Sequence, residues 1–413
     1  MRAWVRLFFL AAAAGCLAGT AAAWPGGHPA ARAPVGMTGQ AAPGLGSFDR
    51  LMTTFLADRD LPGAALAVGR RGRVVYSRGF GYADRETRRP VRPETLFRIA
   101  SVSKPITAAA VLQLVEKKRL RLDDRVFGLL ELKAPAKGFD PRWERVTVAH
   151  LLSHRGGWDR AKTFDPMLGS DQVVAELGVA PPAMPGAVIR YMLGKPLQFD
   201  PGSREAYSNF GYCLLGRVVE KASGQGYEAY VRQHVLAPLG IKTMRLGRTL
   251  AAWPGESAYH DRVRATAVMG PRRGQPVARP YGSWCLEAMD AHGGWVASAA
   301  DLVRFGMAFD DPRKCKILKA SSVRRMFAPP TPEEGKKDVY YAMGWSVRPD
   351  QCDGRPNTFH GGLLDGTSAL LVRRCDGLTW AVLFNASKGK TTPAGAIDGL
   401  LHRAADAVKT WPK

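Results

Sequence analysis

Strand-forming segments stand at both ends of this chain and enclose a middle of helical periodicity, a pattern that few packings satisfy. Phe48, Leu51, Met52, Phe55 and Leu56 recur at helical spacing, and then Ala64 to Val68 and Val74 to Tyr76 flank Gly69 to Gly72 as a hairpin. Strand character returns only in the last third, at Val339 to Val347, Thr358 to Phe359, Ser368 to Val372 and Leu378 to Phe384, before a final helix around Ile397 to Val408. Between residues 105 and 290 the periodicity is mostly helical, with Pro-rich and Gly-rich connections such as Ala180 to Gly186. One helix there is plain: Phe210, Cys213, Leu214 and Val218 share a face, and Gly224 sits where a left-handed stop belongs. Another follows Ser298, an N-cap residue with Asp301 three positions on, and carries Leu302 and Phe305 toward a core. Strands need partners, so the simplest arrangement is α+β: one antiparallel sheet built from both chain ends and covered by helices, with the helical middle inserted as a second lobe. The expected lobes are 47–104 with 291–410, and 105–290, and the cleft between them is the natural place for a site.

The chain has 413 residues, 46% of them apolar, which is enough for a large core. Arg2 and Arg6 precede an apolar run from Leu7 to Ala18, and Ala21, Ala22 and Ala23 offer small residues for cleavage before Trp24. Residues 1–23 therefore read as a signal peptide and the mature protein as periplasmic or secreted. Ala14-Gly15-Cys16 is the alternative, a lipoprotein processing site, although Ala13 stands where a larger aliphatic residue is wanted. No later stretch approaches the roughly 20 apolar residues of a membrane span. Residues 24–46, rich in Gly, Pro and Ala, read as a flexible linker ahead of a domain at 47–410. The formal charge of +23 is spread along the chain with acidic residues interspersed, and no basic block forms. It points to weak association with anionic cell-envelope components rather than to a nucleic-acid site.

Cys213, Cys285, Cys315, Cys352 and Cys375 remain in an oxidising compartment once the leader is gone, and none has zinc-ligand spacing. Cys352 and Cys375 end two strands at the same edge of the expected sheet, which favours a disulfide between them. Cys285 with Cys315 is the other candidate pair. Cys213 lies on the apolar face of its helix and reads as a small buried hydrophobe.

Ser101-Val102-Ser103-Lys104 places a hydroxyl and an amine three residues apart, immediately before a helix carrying Ile106, Val111, Leu112 and Val115. On a first helical turn the two side chains face the same way, and the positive helix end favours an anion formed at the serine. A lysine acts as a base only when desolvation lowers its pKa. The pattern alone is weak, since Ser387 with Lys390 repeats it with Gly389 between and no helix after it. Two further elements accompany Ser101: Tyr207-Ser208-Asn209 just before the helix at Phe210, and His360-Gly361-Gly362 after a short strand. Taken singly, Tyr207 would be a half-buried core phenol and Asn209 a helix N-cap. His154 reads as a buried hydrogen-bonding support rather than a base, and Trp158 and Trp295 as either pocket lining or core.

In this order and at these separations the three elements resemble the active-site motifs of the serine β-lactamase and penicillin-binding protein superfamily, in its branch of class C β-lactamases, DD-carboxypeptidases, D-aminopeptidases and related esterases. Leu151-Leu152-Ser153-His154, Phe199-Asp200-Pro201-Gly202 and the run from Gly293 to Leu302 look like further landmarks, so the resemblance covers residues 48 to 405. It implies a β-lactamase/DD-peptidase-like fold with Ser101 as nucleophile, Lys104 as its base or proton relay, and Tyr207 exchanging a proton with the nucleophile or leaving group. It further implies that Asn209, His360, Gly361 and Gly362 bind substrate, and that the amides of Ser101 and Leu363 form an oxyanion hole.

The chain departs from the pattern at the third motif. β-Lactamases and DD-peptidases place a lysine, a hydroxyl residue and a glycine there, whereas this chain has His360 and two glycines, and no KTG or KSG occurs. Replacing a permanent cation with an imidazole removes a charge-assisted hydrogen bond worth roughly 1.5 to 3 kcal/mol to a substrate carboxylate. The expectation is an exported serine hydrolase acting on an ester or amide through an acyl-serine intermediate, with neither metal nor organic cofactor and with a small molecule or peptide as substrate. The alternatives are a class C-like β-lactamase or cell-wall DD-carboxypeptidase, and a catalytically silent ligand-binding protein. Neither GxSxG nor HExxH is present.

Overall fold

A computed structural model describes residues 35–387 and 392–412, and within them the two ends of the chain do meet in one antiparallel sheet. Its path uses β1 (Met37–Thr38), β2 (Gly63–Arg70), β3 (Arg73–Asp84), β4 (Tyr340–Tyr341), β5 (Ser346–Cys352), β6 (Arg355–Leu364), β7 (Thr367–Arg373) and β8 (Leu378–Phe384), in the order β1-β3-β2-β8-β7-β6-β5-β4. The short strand Arg89–Pro90 pairs with β3 beside that path. The seam between the ends is the β2–β8 pair, in register from Ala64 opposite Phe384 to Arg70 opposite Leu378.

Both faces of the sheet are covered, and the period-2 alternation divides its side chains between two cores. Leu66 and Val68 of β2 and Trp380, Val382 and Phe384 of β8 pack with Phe48, Met52 and Phe55 of α1 (Gly46–Arg59) and Ile397 and Leu401 of α5 (Pro393–Asp406). Ala65, Ala67, Ala381 and Leu383 face the other way, into the larger core that includes α2 (Ser103–Glu116), α3 (Asn209–Ser223) and α4 (Ala299–Met307). Small residues let α4 approach closely: a Cβ on Gly69 would lie 2.5 Å from Val303 and 2.4 Å from the Met307 sulfur. Ser298 caps α4 by accepting from the Asp301 amide, and Gly224 ends α3 in the left-handed conformation, as their sequence positions require.

Helix α2 has no solvent face over most of its length; only Val115 and Glu116 at its end escape full burial. A helix that is apolar all round belongs at the centre of a fold. That places its first turn, with Lys104, deep between the sheet and the middle of the chain.

The structure differs from the sequence expectations in three places. The linker does not extend to residue 46: Met37 and Thr38 pair with Phe80 and Gly79, the Thr38 hydroxyl donates to the Val91 carbonyl at 2.6 Å, and Leu45 is fully buried. A two-residue edge strand is too short to leave a periodic signal. Helical structure in the middle thins beyond Leu239: 240–290 keeps the short 3-10 turns Arg279–Tyr281 and Glu287–Met289 and is otherwise largely irregular, with the strands Arg264–Thr266 and Pro276–Ala278 paired to each other and Arg245–Leu246 paired to Trp295–Ala297. Pro254, Gly255, Gly270, Pro271, Gly274, Pro276 and Pro280 interrupt helix there. The strand expected over Val339–Val347 is broken between β4 and β5, where Gly344 adopts φ +81°. A Cβ at Gly344 would lie 2.7 Å from Ala108 and 3.1 Å from the Lys104 carbonyl, so this turn is pressed against α2 over the lysine.

Cys352 and Cys375 form the expected disulfide, while Cys285 and Cys315 are free and Cys213 is buried. Each of those three lacks a partner cysteine, and Cys285 lies against the Glu287 carboxylate instead. The leader at 1–23, Cys16 and Lys390 of the second SxxK copy lie outside the described residues. Among the described residues no helix is long and apolar enough to cross a membrane.

Candidate active site

Ser101 sits in a 3-10 turn (Ala100–Val102) that runs directly into α2. The preceding Ala100 holds φ +47°, a left-handed conformation that costs a non-glycine residue about 1 kcal/mol or more. The surroundings enforce it: the Ile99 amide donates to the Trp295 carbonyl at 3.0 Å, and the Ser103 hydroxyl donates to the Ala100 carbonyl at 2.7 Å. From the far side β6 closes on this turn, and a Cβ at Gly362 would stand 2.2 Å from the Ile99 carbonyl oxygen.

Lys104 is fully buried, and all three hydrogen-bonding positions of its Nζ are occupied inside the protein. It donates to Ser101 Oγ at 3.0 Å, to Asn209 Oδ1 at 2.7 Å and to the His292 carbonyl at 2.9 Å. Among the described residues no carboxylate touches it. Desolvation therefore drives its pKa well below the usual lysine range; Asp165 opposes that shift and Arg160 adds to it. The Tyr207 phenol interacts with Ser101 in a way that favours its ionised form, but burial outweighs this and holds it protonated far above neutrality. Its ring centroid is 4.7 Å from Lys104 Nζ. Ser101, Lys104, Tyr207 and Asn209 thus form one contiguous cluster.

Asn209 opens α3 but does not cap it, since Ser208 Oγ accepts the Gly211 amide. Both ends of its amide are engaged: Oδ1 with Lys104, and Nδ2 donating to Asp165 Oδ2 at 2.6 Å. Asp165, Arg160 and the His292 carbonyl are site groups that sequence reasoning missed. Phe164 to Gly169 is a loop without periodicity, and nothing local marks Asp165 as the partner of an amide 44 residues on.

The third motif behaves differently from expectation. His360 is only 4% exposed; its Nε2 meets the Tyr341 hydroxyl at 3.0 Å and its Nδ1 the Gly361 carbonyl at 2.7 Å. Burial pushes its pKa down to about 3, so it is a neutral internal strut rather than a group that meets substrate. Alternation on β6 explains this, because His360 and Gly362 point inward while Gly361 and Leu363 face out, Leu363 with 51% exposure. Gly361 has open space, so only it matches the expected close approach of a substrate; Gly362 serves the contact with Ile99.

His154 is the support expected: its Nδ1 accepts the Ser208 amide at 3.2 Å and its ring lies 4.2 Å from Tyr207 and 4.3 Å from Tyr341. Trp158 and Trp295 belong to the core. Trp158 packs on Trp143 and Phe210, and buried Trp295 donates from its indole to the Tyr227 hydroxyl at 3.1 Å.

This fold and this serine–lysine cluster define a serine hydrolase. The chain belongs to the beta-lactamase family, whose model matches residues 48–404. A putative fimbrial assembly protein FimD, serogroup D, of Dichelobacter nodosus is 39% identical over 313 residues, 73% of this chain and 69% of that protein. Esterase EstB of Burkholderia gladioli is 38% identical over 222 residues, 52% of this chain and 54% of that protein. The chain therefore spans between about half and two thirds of the length of these curated relatives. Among solved structures, the octameric penicillin-binding protein homologue from Pyrococcus abyssi superposes with a TM-score of 0.66 at 27% identity, covering 87% of this chain and 77% of that one.

Proposed function

We propose that this protein is exported and hydrolyses an ester or amide through an acyl intermediate on Ser101. The observation that carries the proposal is the buried Lys104 amine, 3.0 Å from Ser101 Oγ and, among the described residues, with no carboxylate in contact. As the free base, Lys104 Nζ takes the Ser101 proton while Oγ attacks the substrate carbonyl carbon. The resulting oxyanion lies at the N-terminal end of α2, and the amides of Ser101 and Leu363 are the donors assigned to it. Tyr207, protonated at neutral pH, supplies the proton to the departing oxygen or nitrogen, and Lys104 returns its own to the phenol. Water then attacks the acyl carbon with the same base, releasing the acid and restoring Ser101.

An ester or simple amide is preferred over a β-lactam because β6 presents no cation: His360 is neutral and turned inward. The relatives include an enzyme named as an esterase and others named as penicillin-binding proteins, which supports the same range of acyl chemistry. Export rests on the leader-like residues 1–23 and predicts a mature N-terminus at Trp24.

The test is intact-mass analysis of wild type and Ser101→Ala after exposure to a fluorophosphonate, p-nitrophenyl acetate and a penicillin. Acylation by the first two that disappears in the variant, with slow or no penicillin uptake, is the expected result. Rapid penicillin turnover would replace the esterase reading with the β-lactamase one, and no adduct from any probe would end the hydrolase proposal.

A further inference from the structure

Three histidines lie around the cluster, and all are buried and held neutral: His154, His292 and His360 each have pKa values depressed by desolvation. Lys104 is driven toward its free base in the same way. Among the described residues, Arg160 is the permanent cation next to this cluster. The Arg160 guanidinium carbon lies 4.7 Å from the centroid of the Tyr207 ring, and among the described residues it is the one arginine whose charge bears on Lys104, Tyr207, His154 and His292 alike.

Arg160 and Asp165 form an ion pair beside the cluster, but they are committed to different degrees. Asp165 is 9% exposed at its side chain; its Oδ1 accepts the Met167 amide at 3.1 Å and its Oδ2 the Asn209 amide at 2.6 Å. Arg160 is 40% exposed, and among the described residues its one acceptor is Asp165 Oδ2, reached by Nη1 at 3.4 Å. Most of its N–H donors are left to solvent. The negative partner is thus consumed by holding Asn209 against Lys104, whereas the positive one is held over the Tyr207 ring with a single long bond to Asp165. A planar guanidinium so placed is suited to bidentate capture of an anion, and partial burial strengthens that bond relative to open water.

We propose that Arg160 is a specificity-determining residue that receives a carboxylate or similar anionic group of the substrate, so that the physiological ester or amide is anionic. The proposal rests on the acyl-serine reading above. It moves the cation of the cleft from β6, where His360 supplies none, to the loop between His154 and Gly169. A substrate ammonium brought to the same place meets repulsion from Arg160 and finds the Asp165 oxygens already bonded.

The test compares p-nitrophenyl hexanoate, mono-p-nitrophenyl adipate and p-nitrophenyl ε-aminohexanoate, which carry neutral, negative and positive ends on one chain length. Phenyl acetate against m-carboxyphenyl acetate asks the same of the leaving group. For at least one pair, wild type is expected to prefer the anionic ester in kcat/KM. That preference should fall about tenfold or more in Arg160→Gln, mainly through KM, recover in part in Arg160→Lys, and weaken with added salt. An anionic-to-neutral ratio identical in wild type and Arg160→Gln for both pairs overturns the proposal. Equal loss on every ester also overturns it, leaving Arg160 as packing for Tyr207. Hydrolysis of the neutral esters without anionic preference sinks this inference alone, whereas a wild-type protein inert toward all five and unlabelled at Ser101 sinks the acyl-serine reading and this one together.

Discussion

Asn209 Oδ1 accepts a hydrogen bond from Lys104 Nζ at 2.7 Å, so the group that orients the lysine is a neutral amide rather than a carboxylate. That difference governs the lysine's protonation. Asn209→Asp would set a negative charge against Nζ, raise the Lys104 pKa and keep the base protonated at neutral pH. The acidic limb of the kcat/KM profile should shift to higher pH, and turnover near pH 7 should fall by about tenfold to a hundredfold. A limb that stays in place in this variant would show that Lys104 is not the titrating group.

Lys104→Ala removes the base and leaves the serine in a half-buried site. A loss of about a hundredfold to ten-thousandfold in kcat is expected, with the melting temperature retained or raised because a costly buried amine is gone. Thermal denaturation and p-nitrophenyl ester hydrolysis check both halves, and activity near wild type would remove Lys104 from the mechanism.

The two glycines of the third motif should respond oppositely to a methyl group. At Gly362 a Cβ would collide with the Ile99 carbonyl at 2.2 Å, next to the Ser101 turn, while at Gly361 the nearest atom is 3.9 Å away. Gly362→Ala is expected to cost about 1 to 3 kcal/mol of stability and at least tenfold in activity, whereas Gly361→Ala keeps its melting temperature. Equal stability of the two variants by urea denaturation would contradict the packing described.

Burial of His360 makes the fold acid-sensitive. In the unfolded chain its imidazole takes up a proton near pH 6.5, and in the folded one it resists to about 3. Between those values the unfolded state binds more protons, so stability falls as pH drops below about 6.5 and this source is silent above it. The slope approaches roughly 1.4 kcal/mol per pH unit for His360 alone, and His154 and His292 act in the same direction. Urea melts between about pH 7.5 and 5 should show the decline, with a smaller slope in His360→Asn. A flat wild-type profile would sink this reading.

The Cys352–Cys375 bridge closes a segment with a sequence separation of 23 and ties the end of β5 to the turn after β7. Replacing both cysteines with alanine should cost about 3 kcal/mol. Chemical denaturation of oxidised and reduced protein gives the same difference if the effect belongs to the bridge, and no difference if it does not.

What the sequence made legible was local or periodic. Ser101 and Lys104 share one helical turn, Ser298 and Gly224 bracket helices by their own chemistry, and the strands at both ends alternate; each signal lies within a few residues. The inward orientation of His360 was not legible, because the phase of the alternation on β6 is set by its neighbours in the fold, and its partner Tyr341 reaches it from across the break at Gly344. Arg160 and Asp165 escaped notice for a related reason. They come from a loop without repeat or cap, and their relevance exists only where that loop folds over Tyr207 and Asn209.

The β2–β8 seam sets a constraint on timing. Ala64 finds its neighbour Phe384 only after the whole segment between them has been synthesised, and until then β2 exposes one unpaired edge. Contacts this distant along the polypeptide delay the decisive step of folding until the last strands are available. The chain emerging from a ribosome is therefore kept from completing its sheet, and a break at almost any internal point separates two halves that each hold an unfinished edge complementary to the other.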